Sequence, residues 1–157
     1  MESALYSIGQ IAVTLAGFAA LLKAFRQKNA TDAHSEPRLK SIVEQGLVVV
    51  LLCFLPSLIF SFGVDLETAV RWISVVAAAW LFRWLYILYI FRTAEISAAI
   101  ASLFPVTVVL HVAAFVAFLL SATGLIGRAE PLYFCGVVLT LTLVGLAFLA
   151  QFQSERS

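Results

Sequence analysis

Apolar residues run along this chain in five long stretches, each closed by a short polar or basic break. The stretches cover about residues 5–25, 42–62, 68–91, 103–123 and 132–152. At about 1.5 Å of rise per residue, a helix of about 20 apolar residues crosses the roughly 30 Å hydrocarbon core of a bilayer. The pattern predicts an all-α membrane protein, a bundle of five transmembrane helices. The number falls to four if one segment is re-entrant or lies along the interface, and the third and fourth segments are the weakest candidates. Residues 1–157 read as one transmembrane helical domain, because no connection is long enough to hold a soluble one.

Segment one sorts its side chains into arcs of a helical wheel. Ile8, Ile11, Leu15, Phe18, Leu22 and Phe25 form a bulky arc suited to acyl chains. Ser7, Gln10, Thr14 and Gly17 form a polar arc, and Ala12, Ala16, Ala20 and Ala24 a small one. Lipid supplies no hydrophobic drive between helices, so small residues and hydrogen bonds must hold them together. The polar and small arcs are therefore expected to meet protein. Pro56 in segment two removes one backbone donor, and Ser57 and Ser61 are the nearby hydroxyls expected to serve the freed groups. Ser35 and Pro37 place the start of the second helix near Glu36, ahead of the membrane. The short connection from Gly63 to Glu67 forces segments two and three into an antiparallel hairpin. Gly136, Thr140, Thr142 and Gly145 mark segment five for close packing.

Orientation follows from lysine and arginine near the segment ends. Lys23, Arg26, Lys28, Arg38 and Lys40 cluster at the first connection, and Arg92 and Arg156 fall on the same side; Arg71 and Arg128 lie opposite. This places the N-terminus outside and the C-terminus in the cytoplasm. Trp84, Tyr86 and Tyr89 then mark the inner headgroup level. The Asn29-Ala30-Thr31 sequon would face the cytoplasm and go unused, and Thr93 to Ser102 reads as a cytoplasmic turn.

Composition strengthens the membrane reading. The chain is 62% hydrophobic and 12% charged, with mean hydropathy +1.03. Soluble domains carry about 25% charged residues. A net charge of +1 gives no footprint for nucleic acid. Cys53 and Cys135 lie in apolar runs outside any CxxC pair, so neither a disulfide framework nor a metal site is expected. The first segment lacks a basic region before it and does not read as a cleavable signal.

Ionisable residues inside membrane segments are functional candidates because they are costly there. Glu44, Arg83 and His111 qualify. Counted from the cytoplasmic segment ends, Glu44 is a few ångströms deep and the other two roughly 12 Å. Each also has a plain reading: Glu44 as an interfacial residue, Arg83 snorkelling to headgroups, His111 as an interhelical hydrogen-bond partner. Together they propose an inward-facing polar cavity in which Glu44 pairs with Arg83, while His111, Gln10 and Thr14 line the same space. Ala12, Ala16, Gly17, Ala20, Gly136 and Gly145 are the helix-packing candidates. No nucleophile elbow, zinc-binding His pair or phosphate-binding loop occurs, so the chain is not read as an enzyme and no cofactor or metal is expected.

The stretch IAVTLAGFAALLKAF, Ile11 to Phe25, resembles the first helix of small multi-pass bacterial inner-membrane proteins of unknown function. The match covers about one tenth of the chain; it implies a bacterial inner membrane and carries over no functional residue. Helix count and length are also similar to the translocator-protein family, whose Trp- and Pro-rich loop motifs are missing here. The expected function is a permeation path or binding cavity for an ion or small solute. The expected partners are the lipid bilayer and further copies in a homo-oligomer. The rival is a non-transporting subunit, sensor or effector acting through a membrane or cytoplasmic protein partner.

Overall fold

The structure is a computed structural model that describes residues 5–14, 16–17, 36–91, 104–125 and 127–153. Among these, every regular element is an α-helix. They are α1 (Leu5–Thr14), α2 (Glu36–Ser61), α3 (Leu66–Phe91), α4 (Phe104–Thr123) and α5 (Ala129–Gln153). Four stretches are long and apolar enough to span a membrane: Ile42–Ser61, Leu66–Ile90, Phe104–Thr123 and Ala129–Leu149. The third and fourth segments are thus long and apolar enough to cross. The remainder of segment one, including Ala20, lies outside the described residues, as do the sequon and the turn from Thr93 to Ser102. Helix α2 is described from Glu36 onward, and its expected cap, Ser35, lies outside the described residues.

The α2–α3 hairpin is built from local chemistry. Gly63, at φ 86°, takes the left-handed turn that closes α2, and its amide donates to the Phe60 carbonyl at 3.0 Å. Asp65 caps α3 by accepting from the Thr68 amide at 2.9 Å. Hydrogen bonds from the Thr68 hydroxyl and amide hold the Asp65 carboxyl below its ordinary range.

Helices α2 to α5 pack in a ring, each antiparallel to the next, and α5 closes back on α2. Small residues permit the close approaches that lipid-embedded helices need. A Cβ on Gly136 would lie 2.8 Å from the buried Phe118 ring, so only glycine lets α4 lie this close to α5. Phe118 also meets Tyr133 edge-on at 5.6 Å. Near the α3 N-terminus, Ser74 shares its hydroxyl proton between the Val70 carbonyl (2.7 Å) and Ser121 (2.9 Å). Ser121 donates to the Ala129 carbonyl at 2.8 Å. Three helices are tied there by buried hydroxyls that are all satisfied.

Helix α1 docks on the outside of α2 through its alanine arc. Ala12 is fully buried, and a Cβ on Gly46 would stand 3.0 Å from the Ala16 Cβ. Tyr6 meets Phe54 edge-on at 5.3 Å. The other two arcs depart from expectation. Ile8 is buried in the core, whereas Ile11 is exposed; the polar arc of Ser7, Gln10, Thr14 and Gly17 faces outward. The hand of docking is set by the Gly46 notch, which turns the wheel so that alanine enters α2 and the adjacent bulky residue Ile8 is drawn in with it. A Cβ added at Gly17 or Gly145 would meet nothing within 4 Å among the described residues.

The group freed by Pro56 is served from another helix. Without an amide at residue 56, the Leu52 carbonyl one turn earlier loses its helical partner. The buried Tyr133 hydroxyl of α5 donates to that carbonyl. Ser61 donates instead to Leu58, at 2.6 Å. Tyr133→Phe strands a buried carbonyl, and the expected loss of stability is about 1–3 kcal/mol. In a Pro56→Ala background the restored amide reclaims Leu52, and the same change should cost less than about 1 kcal/mol. Denaturant unfolding of the four proteins in detergent measures the cycle; equal losses in both backgrounds would contradict it.

Candidate functional site

Helix register decides which polar residues share a level. The hairpin sets α2 against α3: Glu44 precedes Ser61 by as many residues as Arg83 follows Leu66. Both therefore lie about 25 Å from the turn at the helical rise. Counting inward from the end of segment three put Arg83 deeper, because α3 continues beside the polar first turns of α2. The aromatic end of α3 runs along that border, with Tyr86 and Tyr89 exposed.

The same reasoning places His111. The Ser74–Ser121 bond and the contact between Phe82 and Phe115 at 6.3 Å align α3 with α4 and bring His111 level with Trp84 to Tyr86. The bond from Tyr133 to Leu52 aligns α5 with α2 and brings Thr140 level with Gln45. Phe118 over Gly136 aligns α4 with α5 and puts His111 within about a turn of Thr140. The three ionisable candidates thus converge in depth.

They do not converge in direction. Glu44 and Arg83 are exposed, and among the described residues the ion pair is Arg71–Glu67, at 2.6 Å. Gln10 and Thr14 lie on the outward arc of α1, where the Thr14 hydroxyl donates to the Gln10 carbonyl at 2.8 Å. The cavity expected from Glu44, Arg83, Gln10 and Thr14 is not formed inside one copy of the chain. Its members sit on the outer face because α2 and α3 turn their small and branched residues, such as Val49 and Ala77, toward the ring.

Inside the ring a different polar layer occurs at this depth. Gln45 of α2, His111 of α4 and Thr140 of α5 are 8%, 4% and 2% exposed. Trp84 of α3 adds an indole Nε1–H that is buried without a partner among the described residues. Helical spacing puts Gln45 on the arc of Leu52, Trp84 on that of Ala77 and Leu81, and Thr140 on that of Val137 and Val144, all buried residues. His111 follows the arc of Ala114 and Phe118. Each core helix contributes one polar group to the layer.

No family model, no curated protein and no solved structure matches the chain. The chemistry of the layer must be read from its own atoms.

The His111 Nδ1 lies 2.9 Å from the Thr107 carbonyl, which can only accept. The neutral ring is therefore protonated at Nδ1, and Nε2 is its lone-pair acceptor. Thr140 donates to the Gly136 carbonyl at 2.8 Å, which leaves its oxygen as an acceptor. The layer thus combines one unmet donor, Trp84, with acceptors on α4 and α5. A water or small polar molecule joining them would relieve the desolvated N–H. No group of three or more His, Cys, Asp or Glu able to hold a metal occurs among the described residues.

The sequence singles out His111 here, marks Thr140 only as a packing residue and Trp84 only as a headgroup-level aromatic, and leaves Gln45 unremarked. Gln45 carried a signal, since an amide at the start of a spanning run is expensive unless it faces protein. In indole-labelled protein, His111→Phe should move the Trp84 Nε1–H resonance, while Glu44→Gln should leave it in place. An unmoved resonance in the first variant would dissolve the layer.

Proposed function

We propose that the protein is a small, self-associating integral membrane protein whose four-helix core provides a binding cavity or path for a small polar solute or ion, with the proton as the first candidate. One observation carries this reading: each core helix places a polar group at about one level of the interior, apart from the Ser74–Ser121 chain, and one of those groups, the Trp84 indole N–H, has no partner among the described residues. Purely structural polar contacts in membrane bundles are satisfied internally, as Ser74 and Ser121 are. His111 is the one titratable side chain in the layer, and its ring offers one donor and one acceptor, the arrangement a proton relay uses. The lysine and arginine distribution supports an outside N-terminus and a cytoplasmic C-terminus, and the resemblance of Ile11 to Phe25 supports a bacterial inner membrane.

A second reading has its own support. The outward polar arc of α1 and the exposed Glu44 and Arg83 are what a non-transporting subunit would show to a protein partner. Flux separates the two. Purified protein in liposomes carrying an internal pH dye should acidify in response to an imposed gradient, and His111→Phe should slow that response by tenfold or more. Protein that is folded and inserted yet passes neither protons nor monovalent ions under any gradient removes the transport reading and leaves the partner one.

A further inference from the structure

Glu44 and Arg83 share more than depth. On α2, Glu44 continues an exposed arc with Leu47, Leu51 and Leu58; on α3, Arg83 continues one with Trp72, Val76 and Ala79 at helical spacing. The hand of the ring is set by Phe82 and Ser74 pointing to α4 and by Tyr133 reaching α2. With that hand, both arcs open onto one side, the outer groove of the α2–α3 hairpin. An anion and a cation therefore stand at one level on one external groove, and neither belongs to an ion pair among the described residues.

From this we infer that the groove is the contact with a second copy of the chain, with Glu44 of each copy meeting Arg83 of the other. The inference rests on the self-association proposed above and gives it a surface. Two copies inserted the same way are related by a two-fold axis along the membrane normal, and such an axis preserves depth. Residues at different depths cannot form reciprocal contacts across it; Glu44 and Arg83, level with each other, can form two. Apolar matching cannot select this groove, because lipid tails cover leucine and valine as well as a protein does. Charge complementarity can, since a carboxylate and a guanidinium at one level of the groove find each other twice across such an axis. The exposed Ala79 lets the two hairpins approach closely beside the charges.

The test uses full-length protein in nanodiscs, with two differently tagged populations. Glu44→Arg copies and Arg83→Glu copies should each lose self-association by tenfold or more, with unfolding midpoints close to that of the parent. Mixing one population with the other should restore it, because both reciprocal contacts are then opposite in sign. Pairing within a chain could not be rescued by mixing. Single variants that associate like the parent, or mixtures that stay monomeric, overturn the interface while leaving self-association standing. A parent protein that is itself monomeric overturns both; if the variants then change the retention of co-purified phosphatidylethanolamine, the groove holds a lipid headgroup instead.

Discussion

The bundle depends on a carbonyl that its own helix cannot satisfy. Pro56 withdraws the amide that would have served Leu52, in a medium where water is absent and an unpaired carbonyl costs several kcal/mol. Tyr133 meets that need from α5, the helix farthest along the chain from α2. Its ring is pressed by Phe118 of α4, and Phe118 lies where Gly136 has no side chain. One missing proton donor thus ties three helices and sets the depth at which α5 stands against α2. Everything placed by that register, including the level shared by Gln45 and Thr140, follows from it.

Two polar layers cross the interior, and their difference is informative. Toward the α2–α3 turn, Ser74, Ser121 and the Ala129 carbonyl form a closed chain in which every proton has a destination. Such a chain is helix glue. At the opposite end, Trp84 holds a buried donor without a partner among the described residues, at about the level of a histidine whose remaining nitrogen can only accept in its neutral form. Indole packed for bulk alone could be replaced by phenylalanine with no donor to satisfy. The other buried N–H without a partner among the described residues, Arg71 Nε, lies near the α3 N-terminus on a side chain already paired with Glu67, so the open donor of Trp84 is the one that carries the functional reading.

Much of this was legible in the sequence, and the reasons are specific. Apolar run length located the spans to within about three residues at each end, because bilayer thickness leaves little freedom. Of the small residues singled out in the sequence, Ala12 is buried and Gly136 lies under the Phe118 ring, whereas a Cβ on Gly17 or Gly145 would meet nothing within 4 Å among the described residues. What escaped was anything depending on a second helix. Pro56 announced a freed carbonyl, but the nearest hydroxyls in sequence, Ser57 and Ser61, were not the nearest in space. The depth of Arg83 was misjudged because segment ends were taken as membrane borders, whereas the hairpin alone shows α3 running beside the polar start of α2. Gln45 went unread and Trp84 was read only as a headgroup-level aromatic, because one polar group in an apolar run gains meaning only when three others arrive at its level.

Placing charge outside and uncharged polar groups inside reverses the usual order of a soluble protein, and in a membrane the inversion is physically coherent. The ring interior is narrow and closed by Val49, Ala77, Leu81 and Val137, so a fixed charge there would be desolvated on every side. A histidine, an amide, a hydroxyl and an indole can share that space while remaining neutral. Near the border, by contrast, a charge on the outer groove can find headgroups, water or an opposite charge on another copy. The level at which the core becomes polar is also the level at which the outer groove becomes charged. A contact that fixes α2 and α3 at Glu44 and Arg83 therefore fixes the backbone that carries Gln45 and Trp84, since each pair is adjacent on its helix. If two copies meet there as proposed, association and the interior layer would be coupled through these two helices, without any side chain passing from one to the other.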